Sequence, residues 1–522
     1  MNRASVLPIL LAGFALASGV TLAQTVTDTN LLKPDPRNWL MYSGSYNSQN
    51  HSLLKQITPQ NAHLLQAAWT HHMSGMKDLE AVPLVVDGVM YISQFNRMDA
   101  IDARTGNIIW QYQRPPLSTA WQKGTAVYGN KIYITTSDSH LVALDTRNGH
   151  PLWDIKSDGD NILAGGAPLV VRGKVIVTGN RPNGFIQAYD AETGKYLWTW
   201  YAVPKPGEPG AESWGKQVPQ GGPVWASGAF DPEQNLLIWG TGEPRPTWTG
   251  TERPGDNLYS DCIVAIDVET GKLKWYFQNT PHDTHDWDSL EMPVLIDAVY
   301  QGKPRKLVVQ ANRNGFYYVL DRTTGQFLHG APFVHKVNWA TGLDAKGRPI
   351  VVPGHDPSAL GTTTCPSSMG ATNWPSPSYD PDTKYFYLNV AEGCAVNVTS
   401  AGGGGGYNES PKEGEGWEAH VRALDALTGK IMWDYRAVRS NHYGPGLVST
   451  AGGMVFAGEQ FGQFTALDAK TGKPLWHYNT GDLITASPIV YSVGGKEYVA
   501  ISSSTNIFAF ALPDAPEEGS KR

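Results

Sequence analysis

The stretch AIDVETGKLKW, Ala265 to Trp275, decides how this chain folds. An apolar strand ends in an aspartate, a turn containing glycine follows, and a second strand carries a tryptophan. The aspartate can accept the N–H groups of the turn, and the glycine supplies a positive φ. The same pattern recurs as AIDARTGNIIW ending at Trp110, ALDTRNGHPLW at Trp153, AYDAETGKYLW at Trp198 and VLDRTTGQFLH at His329. It returns as ALDALTGKIMW at Trp433 and ALDAKTGKPLW at Trp476, and a partial copy, NAHLLQAAW, ends at Trp69, making eight units. Where no insert intervenes they recur every 43–45 residues or so, about the length of a four-stranded blade. The expectation is an all-β, eight-bladed β-propeller in which each tryptophan packs on a neighbouring unit. The partial copy at Trp69 implies that N-terminal and C-terminal strands close the ring together. The longer gaps, Trp198 to Trp275 and His329 to Trp433, must each hold a blade plus insertions.

The rest of the composition agrees. In 522 residues the 56 glycines, 36 prolines and 18 tryptophans suit a chain of many turns and aromatic packing. A net charge of −7 gives no electrostatic case for nucleic acid as a partner. The N-terminus, MNRASVLPILLAGFALASGVTLAQ, reads as a secretory signal over residues 1–23: Arg3, an apolar run from Val6 to Val20, then the small residues Thr21 and Ala23. That run is too short for a membrane span, and no other segment is long enough. The expectation is an exported protein whose residues 24–522 form a single propeller domain. Export permits a disulfide, and Cys365 and Cys394 flank a probable hairpin, SPSYDPDTKYFYLNVAEGC, so they can pair. Cys262, in the strand-like run SDCIVAID, reads as a buried free thiol. No CxxCH occurs, so neither a covalent c-type haem nor a cytochrome c domain is expected. The glycine run SAGGGGGYNES, Ser400 to Ser410, reads as a loop within an insert.

One stretch concentrates chemistry. TPHDTHDWDSLEM, Thr280 to Met292, places three aspartates, two histidines and a glutamate in thirteen residues directly after the apolar run LKWYFQN. A solvated turn, a metal site and a catalytic carboxylate all suit this composition. His282 and His285, three apart, suggest zinc, but no third His or Cys ligand stands nearby. In an extended segment residues two apart face the same side, so Asp286 and Asp288 can face one ion.

With these motifs in hand the chain resembles the quinoprotein alcohol dehydrogenases of the methanol/ethanol dehydrogenase type, over nearly all of its mature length. The Trp-ended repeats resemble that family's tryptophan-docking motifs. The resemblance implies an exported eight-bladed propeller that binds pyrroloquinoline quinone (PQQ) and a metal ion on its axis. TPHDTHDWDS then places Asp286 on the catalytic base and Asp288 on an extra acidic metal ligand of lanthanide-using members. RNGFYYVLDRTTG places Arg313 beside the reactive quinone carbonyl, and CPSSMGATNW places Asn373 on a PQQ-contacting amide. It also aligns Cys365 and Cys394 with a family disulfide. GGPVWASGAFDP places Trp225 on the face of the quinone, and DLEAVPLVVDG places Glu80 within hydrogen-bonding reach of it.

The chain departs from the family pattern in four places. PPLSTAWQKGTAVYG lacks the adjacent cysteines that usually underlie the cofactor. A few residues on, the PQQ-binding arginine becomes Lys123, which keeps the charge but loses the bidentate fork. GTGEP supplies Glu243 where the family has an asparagine ligand, whereas the third-blade glutamate has no counterpart nearer than Asn183. Where a second tryptophan covers the cofactor in relatives, SNHYGPGLVST offers Tyr443. The implied metal ligands are Glu243, Asp286 and Asp288, for a lanthanide(III) or Ca²⁺. The implied activity is periplasmic oxidation of an alcohol by hydride transfer to PQQ, with electrons leaving to an acceptor such as a soluble cytochrome c. The alternative is a non-catalytic propeller, either an envelope scaffold or a degenerate family member.

Overall fold

The structure, a computed structural model, describes residues 25–73, 78–94, 96–116, 122–159, 161–163, 165–399, 405–408, 417–438, 444–459 and 461–514. It is built from eight antiparallel sheets with four principal strands each. Seven occupy consecutive spans of the chain: 84–113, 126–156, 169–201, 229–278, 294–332, 378–436 and 447–479. The eighth joins the two ends of the protein. Its C-terminal strands, Ile489–Val493, Lys496–Ser503 and Asn506–Ala511, take Gln66–His72 as their fourth member, which pairs antiparallel with Asn506–Ala511. The ring therefore closes through the partial repeat that ends at Trp69. The long gaps hold the expected insertions; the second contains two small extra sheets. Four residues of the glycine run, Gly405–Asn408, form a strand against Ala395–Thr399, so this part is sheet rather than loop. The rest of that run, the expected signal segment and Tyr443 lie outside the described residues.

The repeated aspartate and tryptophan act as read from the sequence. Asp267 Oδ1 accepts from the N–H groups of Glu269 and Thr270 at 3.1 and 3.0 Å, which shapes the turn. Each docking indole then reaches into the next blade and donates to the carbonyl that follows the aspartate there. Trp69 bonds Ala103 O (3.1 Å), Trp110 bonds Thr146 O (2.9 Å), Trp198 bonds Val268 O (3.0 Å), Trp275 bonds Arg322 O (3.0 Å) and Trp433 bonds Ala469 O (3.0 Å). His329, the one unit without tryptophan, also reaches the next blade, but its Nε2 lies 2.9 Å from Thr428 O, two residues beyond the equivalent carbonyl of Ala426. Trp476 closes on Leu65 O at 2.9 Å. Trp153 is the exception: its indole N–H has no partner among the described residues, and Tyr133 Oη donates to the corresponding carbonyl, Ala191 O, at 2.9 Å.

A second device was not evident from the repeats. Residues 37–52 run beneath the ring and bond in turn to the first, most buried strand of seven blades. Arg37 O accepts from Ser492, Trp39 exchanges both backbone bonds with Val85, and Tyr46 Oη donates to Val170 O at 2.7 Å. Tyr46 O, Asn47 O and Gln49 O accept from Phe230, Leu295 and Tyr379, at 2.9, 2.9 and 2.8 Å. His51–Ser52 then pairs parallel with Leu447–Thr450. The segment satisfies backbone groups of separate blades and so ties them to one another as well as to the axis.

The turn glycine is as important as the indole. At Gly149 (φ +73°) a Cβ would stand 2.4 Å from the Trp110 ring, whereas at Gly173 (φ +70°) nothing lies within 4 Å. Gly173→Ala therefore meets only backbone strain, about 1 kcal/mol. Gly149→Ala adds overlap with a close-packed indole, roughly 1–3 kcal/mol more. Urea unfolding of the two variants should show the larger fall in midpoint for Gly149→Ala; equal midpoints would contradict the docking account.

Candidate active site at one end of the propeller axis

The residues singled out in the sequence come from five blades, yet all sit at the same end of the ring. Glu80, Lys123, Trp225, Asp286, Asp288 and Asn373 precede the first strand of a blade; Glu243 and Arg313 follow a second strand. In an antiparallel pair the start of one strand and the end of the next lie side by side, so these positions converge.

At their centre Glu243, Asp286 and Asp288 bring one carboxylate oxygen each to within 4.8 Å of one another, forming the sole candidate metal-binding group among the described residues. Three features enforce this. Asp286 adopts φ +63°, a left-handed conformation that turns the chain at this residue. The two aspartates share a site through this turn rather than through an extended segment. Asp283, buried behind them, accepts from the N–H groups of His285 and Trp287, both at 3.0 Å, and so fixes the loop. The GTGEP stretch lies against this loop: Glu243 N donates to Asp288 Oδ1 at 2.8 Å, and a Cβ on Gly242 would stand 2.4 Å from that oxygen.

Arg313 is the cation that holds the two aspartates. It donates to the backbone oxygen of Asp286 at 2.7 Å and to Asn373 Oδ1 at 3.2 Å, and pairs with Asp288 at 3.2 Å. Its Nε lies 3.8 Å from Glu291, a buried carboxylate that the sequence reading quoted but did not single out. Arg313 and Arg245, whose Nε lies 3.5 Å from Glu243 Oε1, do not neutralise this much negative charge. Burial and the neighbouring Asp288 and Asp286 carboxylates push Glu243 well above the usual carboxylate range, and burial and Asp288 do the same to Asp286. Asp261, another buried carboxylate without a hydrogen-bond partner, is raised by burial, Asp283, Asp288 and Glu243.

Beside the carboxylates lies an aromatic and cationic region. Trp225 faces the Arg313 guanidinium at 5.8 Å and the Lys123 ammonium at 5.4 Å. Lys123 also lies 3.2 Å from the centroid of Trp374 and pairs with Glu80. Trp374, next to Asn373, is a second aromatic member that the sequence reading did not single out; adjacency to Asn373 was the available signal.

The remaining residues serve the frame. His285 stacks on Trp287 with centroids 4.3 Å apart and its Nε2 is 2.9 Å from His355 O; His282 Nδ1 is 2.8 Å from Gly255 O. The histidine pair therefore holds the turn and does not form a zinc site. Asn183 accepts from Gly221 N at 3.1 Å. Cys365 and Cys394 form a disulfide with Cα atoms 4.3 Å apart, and Cys262 is buried and free.

Residues 39–333 match the family described as glucose/ethanol/alcohol dehydrogenase, beta-propeller domain. The quinoprotein alcohol dehydrogenase PedH of Pseudomonas putida is 35% identical over 95% of this chain and 90% of its own length. This chain belongs to the PQQ-dependent quinoprotein alcohol dehydrogenases. Two solved structures of such dehydrogenases superpose closely. The quinohemoprotein alcohol dehydrogenase ADH-IIG of Pseudomonas putida gives a TM-score of 0.87 at 30% identity, covering 95% of this chain and 84% of that one. A europium-containing methanol dehydrogenase gives 0.82 at 29%, covering 92% and 99%. Residues 418–509 also match the family described as outer membrane protein assembly factor BamB.

The residues present fit the groups this dehydrogenase family uses. Clustered carboxylates, two of them raised above the usual range by burial and by their neighbours' charge, are a donor set suited to a hard cation. Two cations and two indole faces beside them suit a flat polyanion. A cation bound here must displace protons from Glu243 and Asp286, because their raised pKa values leave both carboxyls protonated at higher pH than usual. Calorimetric titration of the protein with La³⁺ in buffers of different ionisation enthalpy should therefore show proton release, with affinity rising as pH rises. Affinity independent of pH would contradict the clustered geometry.

Proposed function

We propose that this chain is a periplasmic, metal-dependent dehydrogenase that oxidises an alcohol at Asp286 and passes the electrons to a separate acceptor such as a soluble cytochrome c. The observation that carries the reading is the group Glu243, Asp286 and Asp288 within 4.8 Å, with Arg313 3.2 Å from Asp288. When bound, PQQ accepts hydride from the alcohol carbon, and a metal beside it makes the quinone more electrophilic.

The protein's own residues do the rest. Glu243, Asp286 and Asp288 would hold the metal, whose charge keeps Asp286 ionised near neutral pH. Asp286 then takes the hydroxyl proton as the C–H bond breaks. Its carboxylate is aimed by the left-handed backbone and by the Arg313 bond to its carbonyl. Arg313, held by Asn373, places fixed positive charge where negative charge develops. Trp225 would offer a stacking face, and Lys123 and Glu80 would hold the cofactor beside it.

Export is supported by the residue 1–23 pattern and by the disulfide. Asp288 and Glu243 favour a lanthanide over Ca²⁺, because a trivalent ion gains more from each added carboxylate.

The test is reconstitution with PQQ and either La³⁺ or Ca²⁺, followed by dye-linked assay on primary alcohols, polyols and aldehydes. Asp286→Asn should lower kcat by at least about 10²-fold. Asp288→Ala should abolish La³⁺-supported turnover and spare any Ca²⁺-supported turnover. Failure to bind PQQ at all, with either metal, would favour the envelope-scaffold reading suggested by the BamB-like segment.

A further inference from the structure

A cavity of about 310 Å³ lies against the loop that carries Asp286, and the chemistry described so far makes no use of it. Three stretches of chain form its wall. Trp248, Thr249 and Thr251 come from the insertion that follows Glu243, His282 and Thr284 from the loop that leads to Asp286, and Asp356 from the insertion in the second long gap. We propose that this cavity is a substrate subsite that selects a polyhydroxylated alcohol, holding its remote hydroxyls while the reacting one stands at Asp286. The subsite rests on the functional reading above and gives that reading its substrate class.

Two observations place the cavity beside the carboxylate cluster. Thr284 lines it and stands two residues before Asp286, so their Cα atoms are within about 7 Å of one another. Arg253, fully buried, locks the turn that bears Trp248 to the loop that bears Thr284. Its Nη2 donates to Thr247 O at 3.4 Å and to Asp283 O at 2.5 Å, and its Nε donates to Pro246 O at 3.1 Å. Trp248 and Thr284 thus each directly follow a carbonyl held by the same guanidinium nitrogen. Burial lowers the Arg253 pKa, and the charges of Asp283, Asp261, Glu243 and Asp356 oppose that shift. This one side chain therefore lies within electrostatic reach of a metal-ligand carboxylate and of the cavity wall. A chain of about four to six carbons, at roughly 1.5 Å per bond, covers the distance from Asp286 to that wall.

The wall suits hydroxyl groups rather than an alkyl tail. Thr284 Oγ1 donates to Asp356 Oδ1 at 2.9 Å, and the hydroxyls of Thr249 and Thr251 share a hydrogen bond of 3.1 Å. A threonine oxygen both donates and accepts, and a carboxylate accepts from several donors, so the wall can meet more than one hydroxyl at once. His282 Nδ1 lies 2.8 Å from Gly255 O, which fixes the proton of the neutral ring on Nδ1 and leaves Nε2 to accept. A Cβ on Gly250 would stand 2.1 Å from that Nε2, so the glycine is what admits the imidazole to the wall. Trp248 adds an indole, whose electron-rich face attracts the C–H groups of a polyol. An aliphatic tail in the same place would strip water from these polar groups and return no hydrogen bonds, which costs affinity.

The test compares substrates of equal length. Holoenzyme reconstituted with PQQ and La³⁺ is assayed on 1-butanol and on erythritol, and the ratio of their kcat/KM values is read. Wild type should favour erythritol by about tenfold, the effect of one or two remote hydrogen bonds kept in the transition state. Asp356→Ala and Trp248→Leu, each confirmed folded by thermal unfolding, should lower that ratio about tenfold, chiefly by raising KM for erythritol. A wild-type ratio at or below one, or a ratio that both variants leave where it was, overturns the subsite and leaves the proposed function standing. Preference for an amino alcohol of the same chain length over erythritol assigns the cavity to a cation and overturns the polyol class. Wild type that oxidises no alcohol at all overturns the proposed function itself. Binding is read separately, by saturation-transfer NMR of erythritol with the cofactor-free protein. Saturation of the erythritol C–H protons that both variants reduce supports the subsite; no saturation with wild type rejects it, whatever the turnover.

Discussion

Three carboxylates whose oxygens lie within 4.8 Å of one another repel strongly unless a cation or protons intervene. Much of this end of the propeller is arranged to hold them there. Asp283 fixes the loop from behind, Gly242 lets the GTGEP chain approach, and the left-handed backbone at Asp286 directs its carboxylate. Arg313 offsets part of the charge and at the same time orients Asp286, Asp288 and Asn373. The clustered charge costs stability unless protons or a cation take it up, and a cation bound here would relieve that cost.

The rigidity needed to hold such a cluster comes from the ring. Indole docking links six of the eight blades to the next through a hydrogen bond, and the N-terminal segment links first strands across seven blades. A propeller of this kind resists small shifts because each blade is bonded on both flanks and at its inner edge. Side chains contributed by five blades therefore meet within hydrogen-bond distances.

The fold was legible from the repeat because its signal is periodic: the aspartate, glycine and tryptophan recur with fixed local geometry. The ring closure at Trp69 and the docking at His329 followed from the same pattern. The convergence of Glu243, Asp286, Asp288, Arg313 and Asn373 followed from resemblance to a family whose motifs this chain matches. What escaped were residues whose importance arises only in three dimensions. Trp374 reads as one more core aromatic until Lys123 is seen against its face. Glu291 and Asp261 read as polar residues near a strand and prove to be buried carboxylates. The 37–52 segment has no periodicity because it touches a different blade at almost every step. The histidines were ambiguous in sequence because imidazole serves packing and coordination equally well, and here burial against Trp287 and backbone carbonyls decides for packing.

The central claim is that one cation is held by all three carboxylates at the end of the axis. Anomalous diffraction from crystals grown with La³⁺ tests it most directly. The account predicts a single strong peak within about 2.6 Å of oxygens from Glu243, Asp286 and Asp288 together, the range for a hard cation with oxygen ligands. A peak bound elsewhere on the protein, or none at saturating La³⁺, would contradict it.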